Sequence, residues 1–231
     1  MHKKYKILIL QCAVFTLFAL SAITQSPRSV ACHLASDLKS GTLVVVLKTD
    51  SKKLVWLKKF SNEGNDKDKN KYLKQYNKTI AQRDSLWKYV ALGFSQLYRF
   101  SDVVFMMDTS MQTFLNNRAT CHFYNEKLEP YNQALKGKVF VCKYGQLFED
   151  QGRNLQNAWY VMNDTLGRLS KPFPEVIKFS LFNPAFFFKL PKDFMNAHNI
   201  SKVSERHRPL QYALKLNNEL VKFYIRTGDC E

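Results

Sequence analysis

Glycine is scarce in this sequence, with eight residues among 231. The glycine-rich loop that holds phosphate groups, the dinucleotide-binding fingerprint and the nucleophile elbow of hydrolases need glycines at fixed spacings, and none of these motifs is present. The sequence also has no Cys-x-x-Cys pair and no His-Glu-x-x-His, the motifs of thioredoxin-type redox sites and of zinc proteases. We therefore predict no cofactor and no metal ion.

Acidic residues are also few. The sequence has 19 Asp and Glu and 35 Lys and Arg, which give a formal net charge of +16. A surplus of this size favours anionic partners such as phospholipid headgroups, acidic glycans or nucleic acid. Nucleic acid is the least favoured of the three, because neither an RRM-type arginine-aromatic motif nor a helix-turn-helix pattern is present.

The basic residues are concentrated in one segment of the chain. Nine lysines lie in it: Lys52, Lys53, Lys58, Lys59, Lys67, Lys69, Lys71, Lys74 and Lys78. The segment is either a surface that binds an anionic partner or the solvated face of helices in a lysine-rich protein.

Long apolar runs are absent except at the N-terminus, where three lysines within the first six residues precede the run from Ile7 to Ile23. This order is typical of a secretion signal. We predict a signal peptide over residues 1–26, export to the periplasm or the extracellular space, and a mature domain over residues 27–231. An uncleaved anchor formed by residues 7–23 is the alternative, and it is the only membrane contact predicted. The expected partner is an anionic envelope component or another envelope protein.

Four cysteines remain after removal of the signal: Cys32, Cys121, Cys142 and Cys230. An even number in an exported chain predicts disulfide bonds. We favour Cys121 with Cys142, which lie in two short β-like segments, and Cys32 with Cys230, which would join the two ends of the domain. Free buried thiols are the alternative.

The first half of the chain has the pattern of a βαβ unit. The β-branched run Gly41–Lys48 predicts a strand covered on both faces, and Asp50 and Ser51 can cap a short helix over Lys52–Phe60. Apolar residues at helical spacing over Lys67–Leu97 predict the longest helix. A second buried strand over Val103–Met107 should then pair with the first in parallel.

The second half predicts shorter strands and a final helix. The strand segments are Ala119–Asn125, Lys138–Tyr144 and Trp159–Met162, the last turning through Asn163 and Asp164 into Leu166–Leu169. Because that turn indicates a β-hairpin, the sheet should be mixed. The apolar stripe from Leu210 to Tyr224 predicts an amphipathic C-terminal helix. The fold class is therefore α/β, with one domain after the signal.

Polar residues follow both strands of the predicted βαβ unit. Thr49 and Asp50 follow the first, and Asp108, Thr109 and Ser110 follow the second. Ligands of parallel sheets bind at the carboxyl ends of the strands, so these residues are the candidates for a catalytic site. A hydrolase-like enzyme would place Asp108 in a concave pocket with at least one histidine.

Four short motifs resemble those of a group of uncharacterised, signal-bearing proteins of Bacteroidota bacteria. They are Phe94-Ser95-Gln96-Leu97-Tyr98-Arg99-Phe100, Lys143-Tyr144-Gly145-Gln146, Lys171-Pro172-Phe173-Pro174 and Leu216-Asn217-Asn218-Glu219-Leu220. The group often has Cys-Pro before the second strand, where this chain has Ser101-Asp102. The resemblance implies a bacterial envelope setting and no known activity.

Two functional hypotheses follow from these patterns. The favoured one is a non-enzymatic binding or interaction protein of the cell envelope, with a basic surface or the Phe-rich segment 173–188 as its contact region. The alternative is the hydrolase-like enzyme with its site near Asp50 and Asp108.

Overall fold

The structure is a computed structural model, and it describes residues 26–63, 65–147, 156–169, 171–178 and 208–227. The predicted signal, residues 179–188 of the Phe-rich segment and Cys230 lie outside these ranges. Within the described ranges, no helix has the length and the hydrophobicity that a membrane span requires.

Five α-helices occur in the described residues. They are α1 (Pro27–Ser40), α2 (Ser51–Glu63), α3 (Asp66–Leu97), α4 (Met111–Asn116) and α5 (Arg208–Thr227). The predicted long helix is confirmed as α3, which has 32 residues and starts at the N-cap Asn65. At 1.5 Å per residue it is about 48 Å long. The predicted C-terminal helix is confirmed as α5.

The described strands form one mixed sheet of seven strands in the order β4-β3-β2-β1-β5-β6-β7. The strands are β1 (Thr42–Leu47), β2 (Asp102–Met107), β3 (Phe123–Tyr124), β4 (Pro130–Tyr131), β5 (Val139–Leu147), β6 (Gln156–Met162) and β7 (Val176–Lys178). β1 pairs in parallel with β2 and with β5, whereas the outer pairs are antiparallel. The predicted βαβ unit and mixed sheet are therefore confirmed.

β1 is the middle strand of the sheet, and all six of its residues are buried. Its alternate side chains serve two different cores. Val45 belongs to the core beneath α1, α3 and α5, whereas Val44 belongs to the core beneath α4 and the loops of the opposite face. A strand covered on both faces has no need for alternating polar residues, which explains its continuous apolar run.

α3 and α5 approach each other closely at Gly93. A Cβ atom at this position would lie 3.1 Å from Leu210 Cδ2 and 3.2 Å from Leu210 Cα. The missing side chain therefore lets α5 settle against α3. This contact sets the distance between α3 and α5.

The helix α1 was not among the predicted elements. The Ser26 hydroxyl accepts a hydrogen bond from the Ser29 amide at 3.1 Å, and Pro27 occupies the first helical turn. This Ser-Pro start is a recognised helix signal. The helix has a weak apolar pattern, however, because two of its four buried residues are Ala31 and Ala35.

Two predicted strands are shorter in the structure. Of the segment Ala119–Asn125 only Phe123–Tyr124 forms a strand, because residues 118–120 form a 3₁₀ turn. Of Leu166–Leu169 only Arg168 forms a bridge, to Met162. The turn before it is held by the Asn163 carboxamide, which accepts from the Gly167 amide at 2.6 Å.

The predicted Cys121–Cys142 disulfide is wrong, because both residues are free buried thiols. β1 and β2 separate β5, which carries Cys142, from β3, which follows Cys121, and the two side chains belong to opposite cores. Burial raises the pKa of the Cys142 thiol and keeps it protonated. Cys32 is disulfide-bonded. Its predicted partner Cys230 lies outside the described residues, so this pairing stays a prediction.

Candidate functional site

A cleft opens at the carboxyl ends of the parallel strands, where the sequence places Asp50 and Asp108. It has a volume of about 370 Å³, and both aspartates are among the residues that line it. Ser110 and Thr109 do not line it. The structure therefore brings together two of the three predicted catalytic candidates.

Asp108 holds the end of β2 against the loop that follows β1. Its Oδ1 atom accepts two hydrogen bonds from Thr49, one from the backbone amide at 3.0 Å and one from the hydroxyl at 2.6 Å. Thr49 is 9% exposed, so these bonds are shielded from water. This carboxylate has a structural task at the base of the cleft.

Asp50 closes the same loop with a strained backbone. Its φ of 52° lies in the left-handed region. Its carbonyl oxygen accepts from the Leu54 amide at 2.9 Å and starts α2, while its carboxylate pairs with Lys48 at 2.9 Å. The side chain is thus paired with a lysine and does not act as the predicted helix cap.

Four aromatic residues line the cleft. They are Trp87 from α3, Tyr144 from β5, Trp159 from β6 and Tyr212 from α5. The rings of the last three lie 5.7 to 6.3 Å apart, centroid to centroid. Sequence patterns missed this cluster because its members are far apart in the chain and only the strand order brings them together.

Trp87 is fixed at the rim by two contacts. Its indole NH donates to the Lys48 carbonyl oxygen at 2.8 Å, and the Arg83 guanidinium lies 4.6 Å from the ring centroid. The indole therefore links α3 to the end of β1. A wall held in this way is formed before any ligand arrives.

Among the described residues, no histidine lines the cleft. The described histidines, His33 and His122, are exposed and lie away from the cleft. His198 and His207 lie outside the described ranges. In the part of the chain that the structure describes, no cluster of three or more His, Cys, Asp or Glu could hold a metal ion. The described residues of the cleft therefore supply no acid-base pair of Asp108 with histidine.

A second candidate site is the basic hairpin, by which we mean α2 together with the start of α3, residues 51–78. α2 packs against α3 through the buried Leu54 and Leu57. The rings of Phe60 and Tyr72 join the two helices, with centroids 5.4 Å apart. The buried residues of α3 begin only at Thr79, so the start of this helix has no buried side chain.

The basic hairpin combines unpaired positive charge with exposed apolar surface. It contains nine lysines and three acidic residues. Lys59 has an acidic partner, Glu63 at 3.9 Å, and the other eight lysines have none among the described residues. Trp56 is 58% exposed and Val55 is 70% exposed, so two apolar side chains lie next to each other on the surface of α2.

No protein-family model, no curated protein and no solved structure matches this chain. The two sites are therefore interpreted from their own geometry and charge.

Proposed function

We propose that this protein is a non-enzymatic binding protein of the cell envelope, exported by its N-terminal signal, and that its basic hairpin binds an anionic phospholipid surface. The observation that supports this proposal most directly is the position of Trp56 and Val55, exposed to solvent among lysines of which only Lys59 has an acidic partner among the described residues.

The charge supplies the attraction to the membrane. A lysine near an anionic bilayer contributes about 1 kcal/mol to binding, and the contribution falls off within a Debye length. Several lysines on one hairpin therefore give a binding energy large enough for reversible attachment. The same charge would also attract an acidic glycan, so a second feature must distinguish the two.

The exposed side chains supply that distinction. Tryptophan is enriched at membrane interfaces because its ring is apolar and its NH is polar. Helices that lie on membranes combine lysines with Trp, Phe or Leu. Trp56 and Val55 on α2 provide such apolar groups, and Lys52 and Lys59 lie within one helical turn of Trp56. A glycan would gain nothing from Val55.

Export is supported by the N-terminal sequence, and of the described cysteines only Cys32 adds to this support, because Cys121 and Cys142 are free thiols. Disulfides persist in oxidising compartments and are rare in the cytosol, and Cys32 is disulfide-bonded. The hairpin adds a second route to the membrane besides an uncleaved segment 7–23. Recovery of the full-length chain from the cytosol would contradict export.

The lipid proposal predicts a dependence on both lipid charge and salt. We expect the protein to sediment with vesicles of phosphatidylglycerol and phosphatidylcholine in equal parts, and to stay in solution with vesicles of phosphatidylcholine alone. Raising the salt from about 0.1 M to 1 M shortens the Debye length from about 10 Å to 3 Å and should release most of the bound protein. Equal sedimentation with both kinds of vesicle, or binding that salt leaves unchanged, would contradict the proposal.

A further inference from the structure

We propose that the cleft at the carboxyl ends of the strands binds an uncharged, flat aromatic molecule, whose ring lies against the aromatic side chains. This site is separate from the basic hairpin and does not depend on lipid binding.

The size and the lining of the cleft fit a small ring system. Its volume of about 370 Å³ lies within the usual range of ligand pockets, about 300 to 1,000 Å³. Apolar residues lie beside the four aromatic ones in the lining: Val46, Leu47, Leu86, Val90 and Pro209. Aromatic side chains gain energy from stacked or edge-to-face contact with a further ring. A flat aromatic ligand therefore gains more here than a saturated one of the same size.

The charges of the cleft favour neither an anion nor a cation. Two lysines and two aspartates line it, so the lining charges cancel. Lys48 and Asp50 form an ion pair. Lys143 alternates along β5 with Cys142 and Tyr144, so its side chain leaves the face of the sheet opposite to the aromatic rings. An ion among the rings would lose its hydration without gaining a partner, and this loss costs free energy.

Asp108 follows the same alternation on β2. Met107, the residue before it, has an extended backbone and packs against the core that contains Trp159 and Tyr212. The Asp108 side chain therefore starts toward the other face of the sheet, where it accepts its two hydrogen bonds from Thr49. The part of the cleft that holds the rings is thus the uncharged part.

The cleft is open to solvent between α3 and β5. Leu86 is 41% exposed and Tyr144 is 39% exposed, and they are two of the seven large hydrophobic side chains that are exposed among the described residues. Trp159 and Tyr212 are buried. Exposed hydrophobic groups around a concave wall mark a ligand site more often than chance exposure does. A flat ring can therefore enter past Leu86 and reach the buried rings.

Naphthalene compounds that differ only in charge test the selection. Naphthalenemethanol is uncharged, naphthoate is an anion and naphthylmethylammonium is a cation. In equilibrium dialysis at about 0.15 M salt, we expect one molecule of the alcohol to bind per chain, about tenfold more tightly than either ion. The saturated analogue decahydronaphthalenemethanol should bind about fivefold more weakly than the aromatic alcohol. An ion or a saturated analogue that binds as tightly as the aromatic alcohol, or no saturable binding of that alcohol, would overturn the proposal.

Four variants locate the binding. Leu86→Gln removes an apolar group from the entrance and should weaken the alcohol about fivefold, whereas Leu73→Gln, at a similarly exposed position of α3 outside the cleft, should bind it like the wild type. Tyr144→Thr removes an exposed ring from a strand position and should weaken it about tenfold. Trp56→Gln changes the basic hairpin and should leave binding unchanged.

The dialysis contains no vesicles, so its outcome is independent of the lipid proposal. Loss of binding in Trp56→Gln would assign the alcohol to the hairpin surface and overturn the proposal. Unchanged binding in both Leu86→Gln and Tyr144→Thr would do the same.

Discussion

Replacing Lys52, Lys53, Lys58 and Lys59 by glutamine should weaken binding to vesicles that contain phosphatidylglycerol roughly a thousandfold, because each lysine contributes about 1 kcal/mol and each 1.4 kcal/mol is a factor of ten. All four lysines lie on α2 and are exposed. Glutamine has a helix propensity close to that of lysine, so α2 should form equally well. Vesicle co-sedimentation over a range of lipid concentrations measures the change.

The matched control removes the same charge elsewhere. Lys88, Lys127, Lys171 and Lys222 are exposed and lie outside the basic hairpin. Changing these four to glutamine leaves a protein with the same net charge as the hairpin variant, and its affinity should fall by less than about tenfold. If both variants lost affinity equally, binding would follow overall charge and the hairpin would not be the contact surface.

The second large effect concerns the core that holds α3 on the sheet. Phe94 is 1% exposed, and its ring lies 5.5 Å from that of Trp159, centroid to centroid. Phe94→Ala should lower the free energy of unfolding by about 3–5 kcal/mol, because it removes buried apolar surface and leaves a cavity. Urea denaturation followed by circular dichroism gives the value.

Leu73→Ala on the same helix is the control for this prediction. Leu73 is 47% exposed and lies in the first part of α3, before Thr79, the first buried residue of the helix. Its free energy of unfolding should stay within about 0.5 kcal/mol of the wild type. A large loss of unfolding free energy in Leu73→Ala, or a loss below about 1 kcal/mol in Phe94→Ala, would contradict the account that α3 is held on the sheet by the core around Phe94.

The elements with strong local patterns could be predicted from the sequence. β1 has a continuous apolar run, and α3 has a long stripe at helical spacing, so both were identified with boundaries close to those observed. β2 followed from the βαβ rule. In contrast, β4 and β7 have two and three residues, too few for any periodicity to appear.

Features that depend on the order of the strands could not be predicted. The Cys121–Cys142 disulfide is predicted because both residues lie in short β-like segments that could face each other across a sheet, yet two strands lie between these segments in the structure. The positions of Asp50 and Asp108 followed from the general geometry of parallel sheets. The aromatic wall of the cleft did not, because Tyr144 and Trp159 are neighbours only through the pairing of β5 with β6.

The sequence showed where the lysines are but not which apolar side chains lie among them. Trp56 could equally have been a buried residue of α2, since a helix pattern does not say what covers its faces. Leu54 and Leu57 occupy the face toward α3, and this leaves Trp56 and Val55 outside. That arrangement turns a lysine-rich segment into a candidate membrane contact.

The most direct test of the account is tryptophan quenching by brominated phospholipid in the anionic vesicles. Of the three tryptophans, Trp56 lies on the basic hairpin, whereas Trp87 and Trp159 line the cleft. We expect strong quenching in the wild type, and in Trp56→Phe we expect unchanged sedimentation with the vesicles but loss of most of the quenching. Equal quenching in both proteins, or bound wild-type protein without quenching, would contradict membrane binding through the hairpin.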